Sequence, residues 1–200
     1  MTVLRVLMVV LLATGIAACG RQAPAGSPAQ HQGHQGNQVR PAPVAEPVRS
    51  VPAGGFGVTE QAFVELSIAT DDQAVKLADL GTTRAVDPTL RALAGRLGTA
   101  RRAELTELHG LLDSAAVTYV NHHKGHDMPG MPTETELADL TRAGTGFDKV
   151  FAGLVLAHLT ESATVAESAA RQVSHAATKD VATRMARERA AALDRLGDAR

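Results

Sequence analysis

The sequence predicts an all-α protein, a four-helix bundle made of two duplicated helical hairpins. Alanine, leucine, arginine and glutamate dominate the chain after residue 57, and this composition is typical of helices. Apolar residues recur there at three- and four-residue intervals, as on the buried face of an amphipathic helix. Two stretches also align without a gap at an offset of 88 residues, so that Phe63 matches Phe151. Two equal hairpins with one apolar stripe each bury those stripes most simply against each other.

The first unit is predicted over residues 59–112. Its first helix runs from Thr59, a plausible N-cap, to about Thr83. Asp87 followed by Pro88 predicts the cap and first turn of the second helix. The inward faces of the two helices are predicted to carry Phe63, Leu66, Thr70, Ala74, Leu77, Leu90, Leu93, Leu97, Glu104, Leu105 and Leu108.

The second unit is predicted over residues 147–196, after a short helix at 134–142. It begins at Phe147, and its last helix is expected from about Lys179 to Leu196. The inward face of its first helix should carry Phe147, Phe151, Leu154, His158 and Val165. The duplication is supported by the pairs Phe63/Phe151, Leu66/Leu154, Ala94/Ala182, Arg96/Arg184, Arg101/Arg189, Leu105/Leu193 and Leu108/Leu196.

Residues 1–19 have the form of an export signal that ends in a lipobox. Arg5 supplies the positive charge, residues 6–15 are almost wholly apolar, and Ile16-Ala17-Ala18-Cys19-Gly20 follows. The apolar run is too short to span a bilayer comfortably. Lipidation of Cys19 would anchor the protein to the membrane, facing the periplasm or the cell exterior. The alternatives are an ordinary signal peptide or an uncleaved anchor with a chance cysteine.

Residues 20–57 are rich in proline, glycine, glutamine, alanine and serine, which predicts a disordered tether. Cys19 is the single cysteine, so the domain at 58–197 must be held together by packing without a disulfide. A formal net charge of −1 gives no electrostatic case for binding nucleic acid. Aromatic residues make up only 2%, which argues against stacking on sugars or bases.

The loop at residues 114–133 is crowded with imidazole and thioether groups. Such ligands select Cu(I), and imidazole also suits Cu(II), zinc or nickel. Methionine in an exposed loop broken by proline and glycine gains little from packing, which favours a metal site. In the alternative, the methionines cap the end of the bundle and the histidines are solvated. The candidate ligands are His122, His123, His126, Met128 and Met131.

From about residue 58 to residue 197 the chain resembles an exported bacterial family, domain of unknown function 305. The resemblance rests on His126-Asp127-Met128-Pro129-Gly130-Met131 and on Phe147-Asp148-Lys149-Val150-Phe151. It implies a ferritin-like, duplicated fold, and copper binding in the periplasm for some members. The chain departs from the family motif on its helices. Two His-His pairs of the family fall on residues 70–71 and 158–159, of which only His158 is a histidine.

The other helix-borne positions of the family also differ. The family glutamine falls on Arg101 and Arg189, and the glutamate after it on Glu104 and Ala192. His158 lies on the same face as Phe151 and should point inward. It is either a core residue hydrogen-bonded to a neighbour or a metal ligand.

No nucleophilic triad, Cys/His pair or glycine-rich phosphate loop is present, so we expect no catalytic residues and no enzyme activity. Two functions remain. The first is an exported, membrane-anchored lipoprotein that handles copper without catalysis. The second is a helical interaction or structural lipoprotein whose metal site has decayed. The sequence identifies neither a protein partner nor an oligomeric state.

Overall fold

The computed structural model describes residues 54–198, and this part of the chain is all-helical, without strands. Its helices are α1 (Val58–Arg84), α2 (Pro88–Ser114), α3 (Glu134–Arg142), α4 (Phe147–Gln172) and α5 (Ala176–Asp198), with a 3-10 turn at Gly144–Gly146. The hairpins α1–α2 and α4–α5 pack with α1 against α4 and α2 against α5. The predicted four-helix bundle is confirmed. None of the described helices is long and apolar enough to cross a membrane.

Local signals set the ends of the helices. The Asp87 side chain accepts hydrogen bonds from the N–H groups of Thr89 and Leu90, at 2.6 and 3.1 Å, as expected for the cap of α2. The prediction of Thr59 as the cap of α1 is wrong. Gly57 occupies that position, and its N–H donates to a Glu60 carboxylate oxygen at 3.0 Å.

Helix α5 begins three residues before the predicted Lys179. The His175 Nδ1 atom accepts the Thr178 N–H at 3.4 Å and lies 2.9 Å from the Thr178 hydroxyl oxygen. The His175 imidazole therefore caps the start of α5 as the Asp87 carboxylate caps the start of α2. Histidine is an uncommon cap, which explains why the start of α5 was predicted too late.

The core consists of two apolar clusters along the bundle. One contains Leu77, Leu97, Phe147, Phe151 and Leu159, and the other contains Phe63, Ile68, Leu108, Leu112 and Met185. Buried polar side chains lie between the two clusters along every main helix. They are Asp71 on α1, Arg101 and Glu104 on α2, His158 on α4 and Arg189 on α5.

Two carboxylates join the hairpins in a reciprocal way. Glu60, in the first turn of α1, accepts the backbone N–H groups of residues 174 and 175 in the α4–α5 turn, at 2.7 and 3.2 Å. Asp148, in the first turn of α4, accepts those of residues 86 and 87 in the α1–α2 turn, at 2.9 and 2.8 Å. All three pairs of positions are related by the offset of 88, so the duplication extends to these contacts. We call them the two clasps.

Candidate functional site

The end of the loop between the hairpins packs tightly against α4. Gly130 has φ +72°, a left-handed conformation that glycine adopts at little cost. A Cβ at this position would lie 2.5 Å from the Cβ of Glu161 and 2.9 Å from the carbonyl oxygen of Ala157. Met131 follows and is buried. Packing against α4 thus accounts for part of the Met-Pro-Gly-Met pattern.

The structure divides the five predicted loop ligands into two groups. His122 and His126 are exposed and His123 is half-exposed, all within or beside the turn at residues 122–125. Met128 is half-buried and lines a cavity of about 180 Å³ between α1, α4 and α5. Met131 is only 7% exposed. The expectation that packing does not explain the methionines is therefore wrong for Met131.

The three loop imidazoles are free of hydrogen bonds within residues 54–198. Their backbone N–H groups shape the turn, because those of His122 and His126 donate to the carbonyl oxygens of Val120 and His123, and that of His123 donates to the Asn121 side chain. Among the described residues, no three His, Cys, Asp or Glu side chains are grouped closely enough to hold a metal ion. The turn therefore offers accessible rings without a preformed cluster of such ligands.

His158 points inward, as predicted, and is completely buried. Its Nδ1 atom lies 3.2 Å from the carbonyl oxygen of Gly130. Because a carbonyl only accepts, Nδ1 carries the ring proton, and Nε2 remains an acceptor without a partner among the described residues. Burial, followed by the charges of Arg101 and Arg189, lowers the pKa of His158 well below its usual value, so the ring is neutral at physiological pH.

Arg189 is the centre of a buried charge network that crosses between the hairpins. Its Nη atoms donate to both carboxylate oxygens of Glu104, each at 3.0 Å, and Nη2 also donates to Asp71 Oδ1 at 3.2 Å. Its Nε donates to the Ser162 hydroxyl at 2.8 Å, and Nη1 also donates to the Met185 carbonyl oxygen at 3.3 Å. The five N–H groups of this guanidinium thus have acceptors.

Arg101 is the counterpart of Arg189 in the first hairpin and belongs to the same network. Its Nη1 donates to Glu104 Oε2, and its Nε lies 3.8 Å from Asp71 Oδ1. Within the described part of the chain, Arg101 Nε and Asp71 Oδ2 have no hydrogen-bond partner. Two arginines therefore share the two acids, and Glu104 is the acid in direct contact with both.

The two acids of the network ionise very differently. Burial raises the pKa of Asp71 to about 8, although Arg101 and Arg189 oppose this shift. Burial also disfavours the Glu104 carboxylate, but its direct contacts with both arginines prevail and lower its pKa to about 2. The charge of Glu104 adds to the rise in the pKa of Asp71. The raised pKa of Asp71 and the lowered pKa of Glu104 place the negative charge of the network first on Glu104, which both arginines share.

The interior of the bundle does not fit a metal ion. Arg101 and Arg189 place two permanent positive charges beside the one imidazole, and these charges would repel a cation. His158 Nε2 is the one nitrogen lone pair that the interior residues leave without a partner in the described chain. The other candidate imidazoles, His122, His123 and His126, lie on the exposed turn of the loop and not in this interior.

The network as a unit was not predicted from the sequence. Arg101 was aligned with Arg189, but neither arginine was paired with a carboxylate. The available signal was an arginine at the same position of both repeats, four residues after Leu97 and Met185 on the inward face. The remaining predicted site residue, the lipidated Cys19, lies outside the described residues.

Comparison with known proteins supports the resemblance noted in the sequence. The model of the family described as "Domain of unknown function (DUF305)" matches residues 60–200. No curated protein matches the chain. The fold is similar to the crystal structure of a DUF305 fragment from Deinococcus radiodurans, with a TM-score of 0.64 and 18% sequence identity over 71% of this chain and 95% of that one.

A second crystal structure is also similar in fold. It is that of the "putative secreted protein DUF305" from Streptomyces coelicolor, with a TM-score of 0.62 and 21% identity over 70% of this chain and 90% of that one. At these identities the two likenesses concern the fold, and the family match covers well over half of the sequence. The chain belongs to the DUF305 family.

Proposed function

We propose that this protein is exported, anchored to the membrane by a lipid on Cys19, and captures copper at the turn of residues 122–126 without catalysing a reaction. Export is supported by the signal-like N-terminus and by the likeness to a protein described as secreted. Anchoring is supported by the lipobox at residues 16–20. One acyl chain binds a membrane only marginally, so stable anchoring needs at least two.

The observation that carries the copper proposal is the state of the three loop imidazoles. His122, His123 and His126 are accessible and have no hydrogen bonds within the described residues, so a metal binds them without breaking an existing contact. The half-buried Met128 follows two residues after His126, and a thioether favours Cu(I) over harder cations. Because Gly130 and Met131 fix the end of the loop, binding at the turn leaves the bundle intact.

A second candidate function is a structural or interaction lipoprotein whose metal site has decayed. It is favoured by the two arginines that occupy the interior of the bundle. They convert the region where the family carries helix-borne histidines into an ion-pair network. In that case the turn at 122–126 is only a polar surface.

The test is a titration of the purified protein with Cu(I) against a competing chelator. His122→Ala/His123→Ala/His126→Ala should lose Cu(I) binding and keep the thermal unfolding of the parent. Met131 is left unchanged, since removing a buried methionine side chain costs about 2–5 kcal/mol. The matched control is His31→Ala/His34→Ala/His109→Ala, which removes as many imidazoles elsewhere and should bind as the parent does.

Binding to the imidazoles should weaken in acid, because a ligating ring must be neutral and protons compete with the metal for its nitrogen. A parent protein that binds no Cu(I), or equal losses in both triple variants, would leave the structural or interaction candidate. Anchoring is tested separately by acyl labelling. Cys19→Ser should abolish the label and the partition into membranes, and a variant that is still labelled would overturn the lipobox proposal.

A further inference from the structure

A groove of about 430 Å³ lies between α2 and α5, the second helices of the two hairpins. These helices contact each other less than α1 and α4 do. The volume is within the range of about 300–1,000 Å³ typical of small-molecule pockets. The apolar part of its lining consists of Leu93, Leu97, Val155, Leu159 and Ala192, together with small alanines on both helices.

The pseudo-twofold relation between the hairpins makes the two ends of this groove electrostatically unequal. At one end Arg184 of α5 donates to Glu107 of α2 and lies 3.8 Å from Glu188. The offset of 88 carries Arg184 onto Arg96, and Glu107 onto Arg195. At the other end of the groove, the positions equivalent to this ion pair are therefore occupied by two arginines, Arg96 on α2 and Arg195 on α5.

Two arginines of the groove are not paired with an acid among the described side chains. Arg96 and Arg195 are exposed, line the groove and form no ion pair within residues 54–197. Apart from Arg101 and Glu104, which belong to the buried network, three arginines and two glutamates line the groove, and this leaves one positive charge in surplus. Guanidinium groups bind carboxylates in a planar, often bidentate geometry. The charge of the groove is thus complementary to a single carboxylate.

We propose that this groove binds an amphipathic monoanion of the fatty-acid type. Its carboxylate lies between Arg96 and Arg195, and its hydrocarbon chain lies along Leu97, Ala100 and Ala191 toward the paired end of the groove. The apolar lining excludes water from the chain, and each buried methylene contributes about 0.8 kcal/mol. The two arginines select the anionic head. This site is separate from the loop at 122–126 and from the copper proposal.

The test measures binding of dodecanoate, dodecanol and acetate by calorimetry. The protein is the full chain with Cys19→Ser, so that no attached lipid competes. Residues 1–53 are the same in every variant, and differences between variants therefore report the groove. Arg96→Gln/Arg195→Gln should weaken dodecanoate binding about tenfold or more, which corresponds to about 1.4 kcal/mol. Dodecanol should bind parent and variant equally, and acetate should not saturate.

Two control variants distinguish recognition of the carboxylate from binding of the hydrocarbon chain, and circular dichroism checks that each variant is folded. Arg171→Gln/Arg187→Gln removes the same charge from exposed positions outside the groove and should leave dodecanoate binding unchanged. Ala100→Leu fills part of the groove from a half-buried position and should weaken dodecanoate and dodecanol alike. All variants should retain the parent's helical circular dichroism. Equal losses in the two arginine variants, unchanged dodecanoate binding in Arg96→Gln/Arg195→Gln, or no binding by the parent would overturn the proposal.

Discussion

The two hairpins share one backbone plan but have different polar interiors. Each contributes one buried arginine, Arg101 from the first and Arg189 from the second, at equivalent positions. Both acids of the network come from the first hairpin, whose Asp71 and Glu104 correspond to Leu159 and Ala192 in the second. Arg189 must therefore cross to the other hairpin to find its carboxylate partners. Because of this asymmetry, the buried charge network (the polar layer between the two apolar clusters) connects the two hairpins.

The clasps show the opposite behaviour. Glu60 and Asp148 keep the symmetry because each binds backbone N–H groups, which every residue of the facing turn except proline supplies. The network loses the symmetry because its partners are side chains, which single substitutions replace. Contacts to the backbone thus survive divergence between the repeats, whereas contacts between side chains are redistributed.

The largest expected effect comes from making the first hairpin resemble the second. Glu104→Ala copies Ala192 and leaves two guanidinium groups buried without their shared carboxylate. Breaking a buried ion pair in this way costs about 3–5 kcal/mol. Glu107→Ala, three residues further along α2, removes an exposed partner of Arg184 and should cost no more than about 1 kcal/mol. Urea denaturation of both variants measures the difference.

Similar costs for the two variants would mean that Glu104 stabilises the fold no more than a surface charge does. The hairpins would then be joined by apolar packing and the clasps. A high cost for Glu104→Ala alone would confirm that the polar layer connects them.

The sequence predicted the parts of this comparison that depend on local patterns. Three- and four-residue spacing located the helices, and Asp87-Pro88 fixed the start of α2, because both signals act within a few residues. The network could not be predicted in this way. Arg189 points inward because its acceptors come from α1, α2 and α4, which are distant in sequence. Likewise Met131 is buried because Gly130 allows the loop to approach α4, a contact that spacing does not encode.

The second expected effect is a difference in how much each of the two clasps stabilises the fold. Glu60 is 3% exposed, whereas Asp148 is half-exposed. Burial opposes ionisation of Glu60, but backbone N–H donors, first that of Ser174, prevail and lower its pKa from 4.5 to about 2. Glu60→Gln should cost about 1.5–3 kcal/mol, the range for hydrogen bonds to a charged group. Asp148→Asn should cost about 1 kcal/mol or less, because water competes for its partners.

The pH dependence of the Glu60 clasp follows from the lowered pKa. The folded state binds the proton more weakly than the unfolded state, so the stabilisation is fully present above pH 4.5 and is lost as pH falls towards about 2. Denaturation curves at pH 3 and pH 6 should show a smaller difference between parent and Glu60→Gln at the lower pH. A difference that is independent of pH would mean that the negative charge of Glu60 does not contribute to the stability of the fold.

The last expected effect is a change of stability with pH, and it is the sharpest test of the asymmetric network because its sign is unusual. The pKa of Asp71 is about 8 in the folded protein, against 3.8 as the ordinary value. Between these two values the folded state holds a proton that the unfolded state has released. Stability should therefore fall as pH rises from about 4 to 8, by at most about 1.4 kcal/mol per pH unit.

Asp71→Asn replaces the protonated carboxyl by an amide of nearly the same shape. The amide oxygen accepts from Arg189 as Asp71 Oδ1 does, so the variant keeps this contact and loses the titration. We expect equal stabilities near pH 4 and a variant more stable than the parent at pH 7, measured by urea denaturation. Asp79→Asn, at an exposed acid on the same helix, should not change the pH profile in this way. A loss of stability in Asp71→Asn at every pH would show instead that Asp71 is ionised in the fold. The two arginines would then face two anions, and the polar layer would be balanced in charge.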